Sequence, residues 1–292
     1  MLSRTFRNGY RALIGWLVLF QPVGFAHAPA NTPHATVALV SEGASIQPGH
    51  QFRVGLHFQL EKDWHIYWVN PGDSGEPPRV EWKLPAQFKV GPLQWPAPRR
   101  LENPPLTDYG YEDEVLLMAT VRPPANLKPG GTAKLEANVK WLVCHDICIP
   151  GRQTVTLSLP VASDAPKYDP RWRQLFTRTS TRLPMRLPAG WSVTAAANPQ
   201  SFVLSIKTGT REAGATFFPL ESLQIKNAAP QQAEPVDGGV RLTLQKSDEL
   251  LHPIASLKGI LVLRHDKAYA INAPVTSQNS MRKSSGGRRP RK

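Results

Sequence analysis

Cys144 and Cys148 are the only cysteines among 292 residues, and they stand four apart in the run Trp141-Leu-Val-Cys-His-Asp-Ile-Cys-Ile-Pro150. Two thiols at this spacing can close a disulfide, because bridged Cα atoms lie roughly 4.4–6.8 Å apart, a separation met by a helical turn or by facing positions of a tight hairpin. The bond is a weak staple: in the chain-entropy model a five-residue loop gains about 2 kcal/mol, against nearly 5 kcal/mol for a 100-residue loop. Its better use is exchange, in which a thiolate attacks a partner disulfide, a mixed disulfide forms and the second thiol resolves it. His145 and Lys140 favour the thiolate and Asp146 opposes it, so the residues leave both the net effect and the identity of the attacking cysteine open. The rival from another class is a non-catalytic binding module in which the same disulfide is structural. Cys144, His145 and Cys148 are also ligand types for copper or zinc, but no dependable fourth ligand accompanies them, and no metal or other cofactor is assigned.

The ends of the chain place this dithiol. Arg4, Arg7 and Arg11 precede the apolar run Ala12 to Phe20 and the small-residue pattern Ala26-His-Ala28-Pro-Ala30, the three-part layout of a secretory signal over residues 1–30, with cleavage expected between Ala30 and Asn31. Export puts the cysteines in an oxidising compartment, the periplasm. The formal charge of +13 is concentrated at the ends: three charges are those arginines and six are Arg282, Lys283, Arg288, Arg289, Arg291 and Lys292, which leaves +4 for the body. The tail, residues 276–292, reads as a solvated basic end able to touch an anionic membrane. No interleaving of aromatic and basic residues supports nucleic-acid binding.

The elements that must hold the cysteines are strands. Phe52, Val54, Leu56, Phe58 and Leu60 alternate with more polar residues, and the period of two returns at Leu135, Ala137, Val139, Trp141 and Val143 and again at Val155, Leu157 and Leu159. Proline, 29 residues in all, occurs at about twice the usual frequency and disfavours long helices. The pattern predicts an all-β chain of two immunoglobulin-like β-sandwiches in tandem, over residues 31–162 and 184–275. The linker between them, 163–183, is expected to carry about two turns of helix over Arg171 to Arg178, with Asp169 as cap and Pro170 at its first position. Strands resume with Phe202, Leu204 and Ile206, with Val240, Leu242 and Leu244 after the turn Asp237-Gly-Gly239, and with the apolar run Gly259 to Leu263. Parity makes Cys144 the first residue beyond the inward-facing series, so the dithiol is expected to cap a strand connection at one end of the first sandwich.

Two further segments stand out. Trp64-His-Ile-Tyr-Trp-Val-Asn-Pro-Gly-Asp73 packs three large aromatics into five residues, mostly explained by core packing. Thr107-Asp-Tyr-Gly-Tyr-Glu112 joins a proline-rich stretch to the strand Val115 to Val121, and its tyrosines flank a glycine in what reads as a turn, where they suit a lid over a reactive site, a recognition surface or, equally, packing against the rim. With Leu93-Gln-Trp-Pro-Ala-Pro98 and the cysteine run, these segments make four ordered motifs over about residues 35–162 that closely resemble the amino-terminal periplasmic domain of the DsbD disulfide-reductase family, in the branch that includes the suppressor-of-copper-sensitivity proteins. Residues 184–275 resemble the second β-domain of that branch. The resemblance implies a redox domain that takes electrons from a membrane-embedded donor protein and passes them to periplasmic thioredoxin-like oxidoreductases. It implies that Cys144 and Cys148 are the redox pair, and that Asp108, Tyr109, Gly110 and Tyr111 belong to a loop that caps the cysteines and opens for a partner. Family members usually continue into a multispanning membrane domain and a thioredoxin domain, whereas this chain ends in the basic tail, so the expected donor is a separate protein.

Overall fold

Alternation drives the first half of the chain into ten strands: β1 (Ala35–Ser41), β2 (Phe52–Leu60), β3 (His65–Gly72), β4 (Arg79–Lys83), β5 (Lys89–Val90), β6 (Arg99–Asn103), β7 (Leu106–Glu112), β8 (Glu114–Arg122), β9 (Thr132–Cys144) and β10 (Cys148–Pro160). This computed structural model describes residues 33–277; the signal read at residues 1–30 and the tail beyond Ser277 lie outside the described residues. One sheet has the order β1-β2-β8-β5 and the other β10-β9-β3-β7-β6, with β4 pairing with β9. The inward positions read from the sequence face each other between the sheets: Val54, Leu56, Phe58, Leu135, Ala137, Val139 and Val143 are fully buried. The fold is all-β, as the periodicity predicts, and no helix among the described residues is long and apolar enough to cross a membrane.

The second face of β2 is drier than alternation suggests. Gly55 and His57 are buried because the helix α1 (Arg173–Arg182) packs on the outside of that sheet, its Leu175 and Phe176 against Val40, Leu116 and Met118. Polar contacts fix the helix in place: Arg53 donates to Ser180 Oγ at 2.7 Å, His57 Nε2 lies 2.8 Å from Glu114 Oε1, and Glu114 pairs with Arg178. The helix differs from expectation at its start. Its regular turns begin at Arg173 rather than at Pro170, so the turn that Asp169 caps, with its carboxylate accepting from the Arg171 N–H at 3.0 Å and its carbonyl from the Arg173 N–H at 2.9 Å, stands just ahead of the helix.

After α1 come β11 (Met185–Arg186), β12 (Ser192–Ala197), β13 (Ser201–Lys207), β14 (Thr216–Pro219), β15 (Gln232–Val236), β16 (Gly239–Gln245), β17 (Ser256–Val262) and β18 (Ala268–Ser277). They form one connected path, β14-β17-β18-β12-β13-β16-β15, with β11 alongside β18. The first part of β18 pairs with β17 and its last three residues pair with β12, so a single strand passes from one layer to the other. Phe202, Leu204, Ile206, Val240, Leu242 and Leu257 fill the space between. The tail expected from residue 276 starts later, since Thr276 and Ser277 are still sheet.

The two β bodies share part of a core. Phe218 of β14 packs edge-on against Trp68 and Tyr109 of the first body, with ring centroids 6.3 and 5.3 Å away. Truncating this buried ring leaves a void between elements held on both sides, and large-to-small changes of that kind cost about 3–5 kcal/mol. Phe218→Ala is expected to lower unfolding free energy by that amount in urea titrations followed by tryptophan fluorescence.

Candidate redox site

The site is set by strand register. β9 and β10 are antiparallel partners over thirteen residue pairs, and the last pair before the turn is Cys144 opposite Cys148. Their Cα atoms are 4.2 Å apart, close to the spacing of a non-hydrogen-bonded cross-strand pair, and the sulfurs are joined. The turn itself is His145-Asp146-Ile147, closed by the His145 N–H donating to the Ile147 carbonyl at 3.1 Å. The two cysteines differ sharply in environment. Cys144 is 1% exposed, whereas Cys148 is exposed beside Ile147, an apolar side chain 65% open to solvent.

β3 supplies the wall behind the disulfide. His65 pairs directly with Cys144, and Tyr67, two residues on along the same face, points its hydroxyl at Cys148 Sγ from 3.6 Å. A disulfide sulfur carries no hydrogen, so the phenol is the donor in this contact. Burial pushes the Tyr67 pKa up, the Asp108 carboxylate adds to the effect and Ser74 offsets part of it, so the hydroxyl keeps its proton at physiological pH. His65 Nε2 is buried without a hydrogen-bond partner among the described residues. Desolvation lowers its pKa; Asp108 and Glu112 pull the other way, and His145 reinforces the shift. The imidazole opposite Cys144 is therefore neutral at pH 7.

The segment after β3 presses on Tyr67. Gly75 lies so close to the phenol that a Cβ there would sit 2.1 Å from the ring, and its φ of +78° suits glycine as well. The segment is tied down from two directions. Ser74 donates through its backbone N–H and its hydroxyl to the two Asp108 oxygens, each at 2.8 Å, and Asp73 accepts from the Thr107 N–H at 2.8 Å. From the second body, Asn227 Nδ2 donates to Asp73 Oδ1 at 2.8 Å while its own Oδ1 accepts from the Tyr109 hydroxyl at 2.9 Å. Asn70 completes the junction by donating to the Pro219 carbonyl and accepting from Ser222.

Several expected site residues stand elsewhere than the sequence suggests. Asp108, Tyr109, Gly110 and Tyr111 are not an exposed turn; they lie in β7 and all four are buried. Gly110 is needed there because β3 passes close by, with a Cβ falling 2.3 Å from the Ile66 carbonyl oxygen. The part over the cysteine wall is instead taken by residues 73–75, with Asp108 as their anchor. Tyr109 and Tyr111 spend their hydroxyls on Asn227 and the Pro96 carbonyl, and burial holds both phenols protonated. His145 is near the cysteines but half exposed, with Asp146 Oδ2 at 3.2 Å, an arrangement screened by solvent. Lys140 shares the face of Cys144 but is four residues down β9, about 13 Å away at strand rise. Tyr67 and His65 are the neighbours that sequence reasoning missed. Their parity, opposite to core residues Ile66 and Trp68, was the available signal.

Residues 36–160 match the family model described as "Thiol:disulfide interchange protein DsbD, N-terminal". Among solved structures, the N-terminal periplasmic domain of ScsB from Proteus mirabilis aligns with a TM-score of 0.63 at 15% identity, over 84% of this chain and 95% of that one. The BcpA major pilin subunit of Bacillus cereus also aligns, over 83% of this chain and 68% of its own, but at 8% identity and a TM-score of 0.23 it carries no argument. No curated protein matches the chain.

The depressed His65 pKa has a consequence for stability. Between the folded value and the ordinary 6.5, the unfolded chain binds more protons than the folded one, so stability rises with pH through that window and falls as acidification passes down through it. His65→Gln should flatten this part of the profile, read as urea midpoints of both proteins between about pH 5 and 7.

Proposed function

With a DsbD amino-terminal-like domain at residues 36–160 as premise, we propose that the protein is a periplasmic thiol–disulfide interchange protein in which Cys144 and Cys148 carry two electrons to thioredoxin-like oxidoreductases. One observation carries the reading: the disulfide sits at a hairpin tip with one sulfur-bearing residue exposed and the other buried. In the reduced protein the Cys148 thiolate attacks the partner's disulfide. One partner sulfur leaves as thiolate and the other joins Cys148 in a mixed disulfide. The Cys144 thiolate then attacks Cys148 Sγ, the partner's second sulfur leaves, and the Cys144–Cys148 bond closes. The partner has gained two electrons and two protons; this protein has lost them. Reloading runs in reverse, with the thiolate of a membrane-embedded donor protein attacking Cys148 and Cys144 leaving. The Tyr67 hydroxyl supports this division of labour, since a donor beside the sulfur stabilises its thiolate. The second body, about residues 184–275, holds the segment behind Tyr67, and the basic tail serves at most as a membrane contact.

Mixing reduced Cys144→Ser with an oxidised thioredoxin-like oxidoreductase should accumulate a mixed disulfide visible on a non-reducing gel, while Cys148→Ser should form none; adducts from neither variant would refute the exchange reading. In the Cys144→Ser background, Tyr67→Phe should raise the Cys148 thiol pKa, measured from the pH dependence of alkylation, because the hydrogen bond to the anion is gone.

A further inference from the structure

The face of the β9–β10 hairpin that carries the disulfide continues into a groove that the exchange chemistry does not use. Next to Cys144 and Cys148 on that face stand Leu142 and Pro150, directly opposed, and beyond them Lys140 and Arg152, also opposed. Arg79 of β4 faces Lys140 from the other side, which makes a row of three cations across three neighbouring strands. Glu76 and Pro77, just before β4, line with these cations an open groove of about 450 Å³. Like charges placed directly opposite one another destabilise a sheet. Here they are scarcely compensated. Arg79 has Glu76 at 3.1 Å, both largely exposed, whereas no ion pair holds Lys140 or Arg152 among the described residues; Glu81, the next acid along β4, is opposite Asn138.

An apolar step followed by unpaired cations, starting two residue pairs from the cysteines on the same face, is a surface shaped for a particular sequence. We infer that this groove receives the extended stretch of a partner protein that flanks its reactive cysteine, and that this stretch carries carboxylates about four residues from that cysteine. The register follows from distance. Lys140 and Arg152 lie about 13 Å from the cysteine pair along the strands, which an extended chain covers in about four residues. The apolar pair Leu142 and Pro150 accommodates the intervening positions. The inference rests on the exchange reading above, because the partner is bonded to Cys148 while its flanking chain lies in the groove.

The test uses the full chain as Cys144→Ser, whose Cys148 thiolate attacks a peptide cysteine activated as a mixed disulfide with thionitrobenzoate; the peptide sulfur bonds to Cys148 and the coloured thionitrobenzoate anion leaves. Three peptides are compared: one with two glutamates four and five residues from the cysteine, one with lysines there, and one with the glutamates adjacent to the cysteine. At low salt the first should react roughly fivefold faster than the lysine peptide, the size of two exposed charge contacts. The advantage should shrink toward unity at about 0.5 M salt and reverse in Lys140→Glu/Arg152→Glu. Equal rates for the glutamate and lysine peptides, an unchanged ratio after charge reversal, or an equal advantage for the adjacent-glutamate peptide would each overturn the inference. The neutral disulfide of hydroxyethyl thiol separates the two readings: if Cys148 ignores this reagent as well, the exchange reading fails, whereas normal reaction with it and no discrimination among peptides removes the groove alone.

Discussion

The register of one hairpin governs the site. Because β9 and β10 stay in step over thirteen pairs, the cysteines meet face to face at the tip. A slip of one residue would send every side chain of β10 to the opposite face, taking Val155 and Leu159 out of the core. The hydrophobic cost of such a slip is what keeps the sulfurs aligned, and it is paid by residues far from them. The geometry that permits a disulfide is thus a by-product of core packing, while the disulfide itself contributes little to stability.

Placing the pair on a sheet rather than on a helix also decides its surroundings. The sheet gives each cysteine a fixed neighbour on the adjoining strand, which is how His65 comes to stand opposite Cys144 and Tyr67 beside Cys148. The consequence is asymmetry. One sulfur-bearing residue is buried opposite a neutral imidazole, and the other, beside a protonated phenol, faces solvent next to an exposed isoleucine.

Local pattern made much of this legible. Alternation located β2, β9, β10, β13 and β16 and their inward faces, and the isolation of Cys144 and Cys148 singled out the dithiol. The failures have a common physical origin in pairings between residues far apart in sequence. Nothing near Asp108 in the chain says that its carboxylate will hold Ser74, or that β7 will be covered on both faces, so an aromatic-glycine stretch read as a turn became a buried strand. Likewise α1 was visible as a short helical stretch, but its burial of His57 depends on where it lands. Tyr67 was hidden by its own company: within a run of core aromatics, only its parity sets it apart.

The way Phe218 fills the first body has a bearing on how this molecule can be dissected. Its ring occupies a slot between Trp68 and Tyr109, and Asn227 caps the hydroxyl of that same tyrosine. Cutting the chain at the helix would strip this plug away and present a greasy notch to the surrounding water, edged by Asp73 Oδ1 and the Asn70 amide, which lose Asn227 and the Pro219 carbonyl. The two halves are in that sense lock and bolt, and the amino-terminal half on its own would be a sticky fragment rather than a smaller version of the whole.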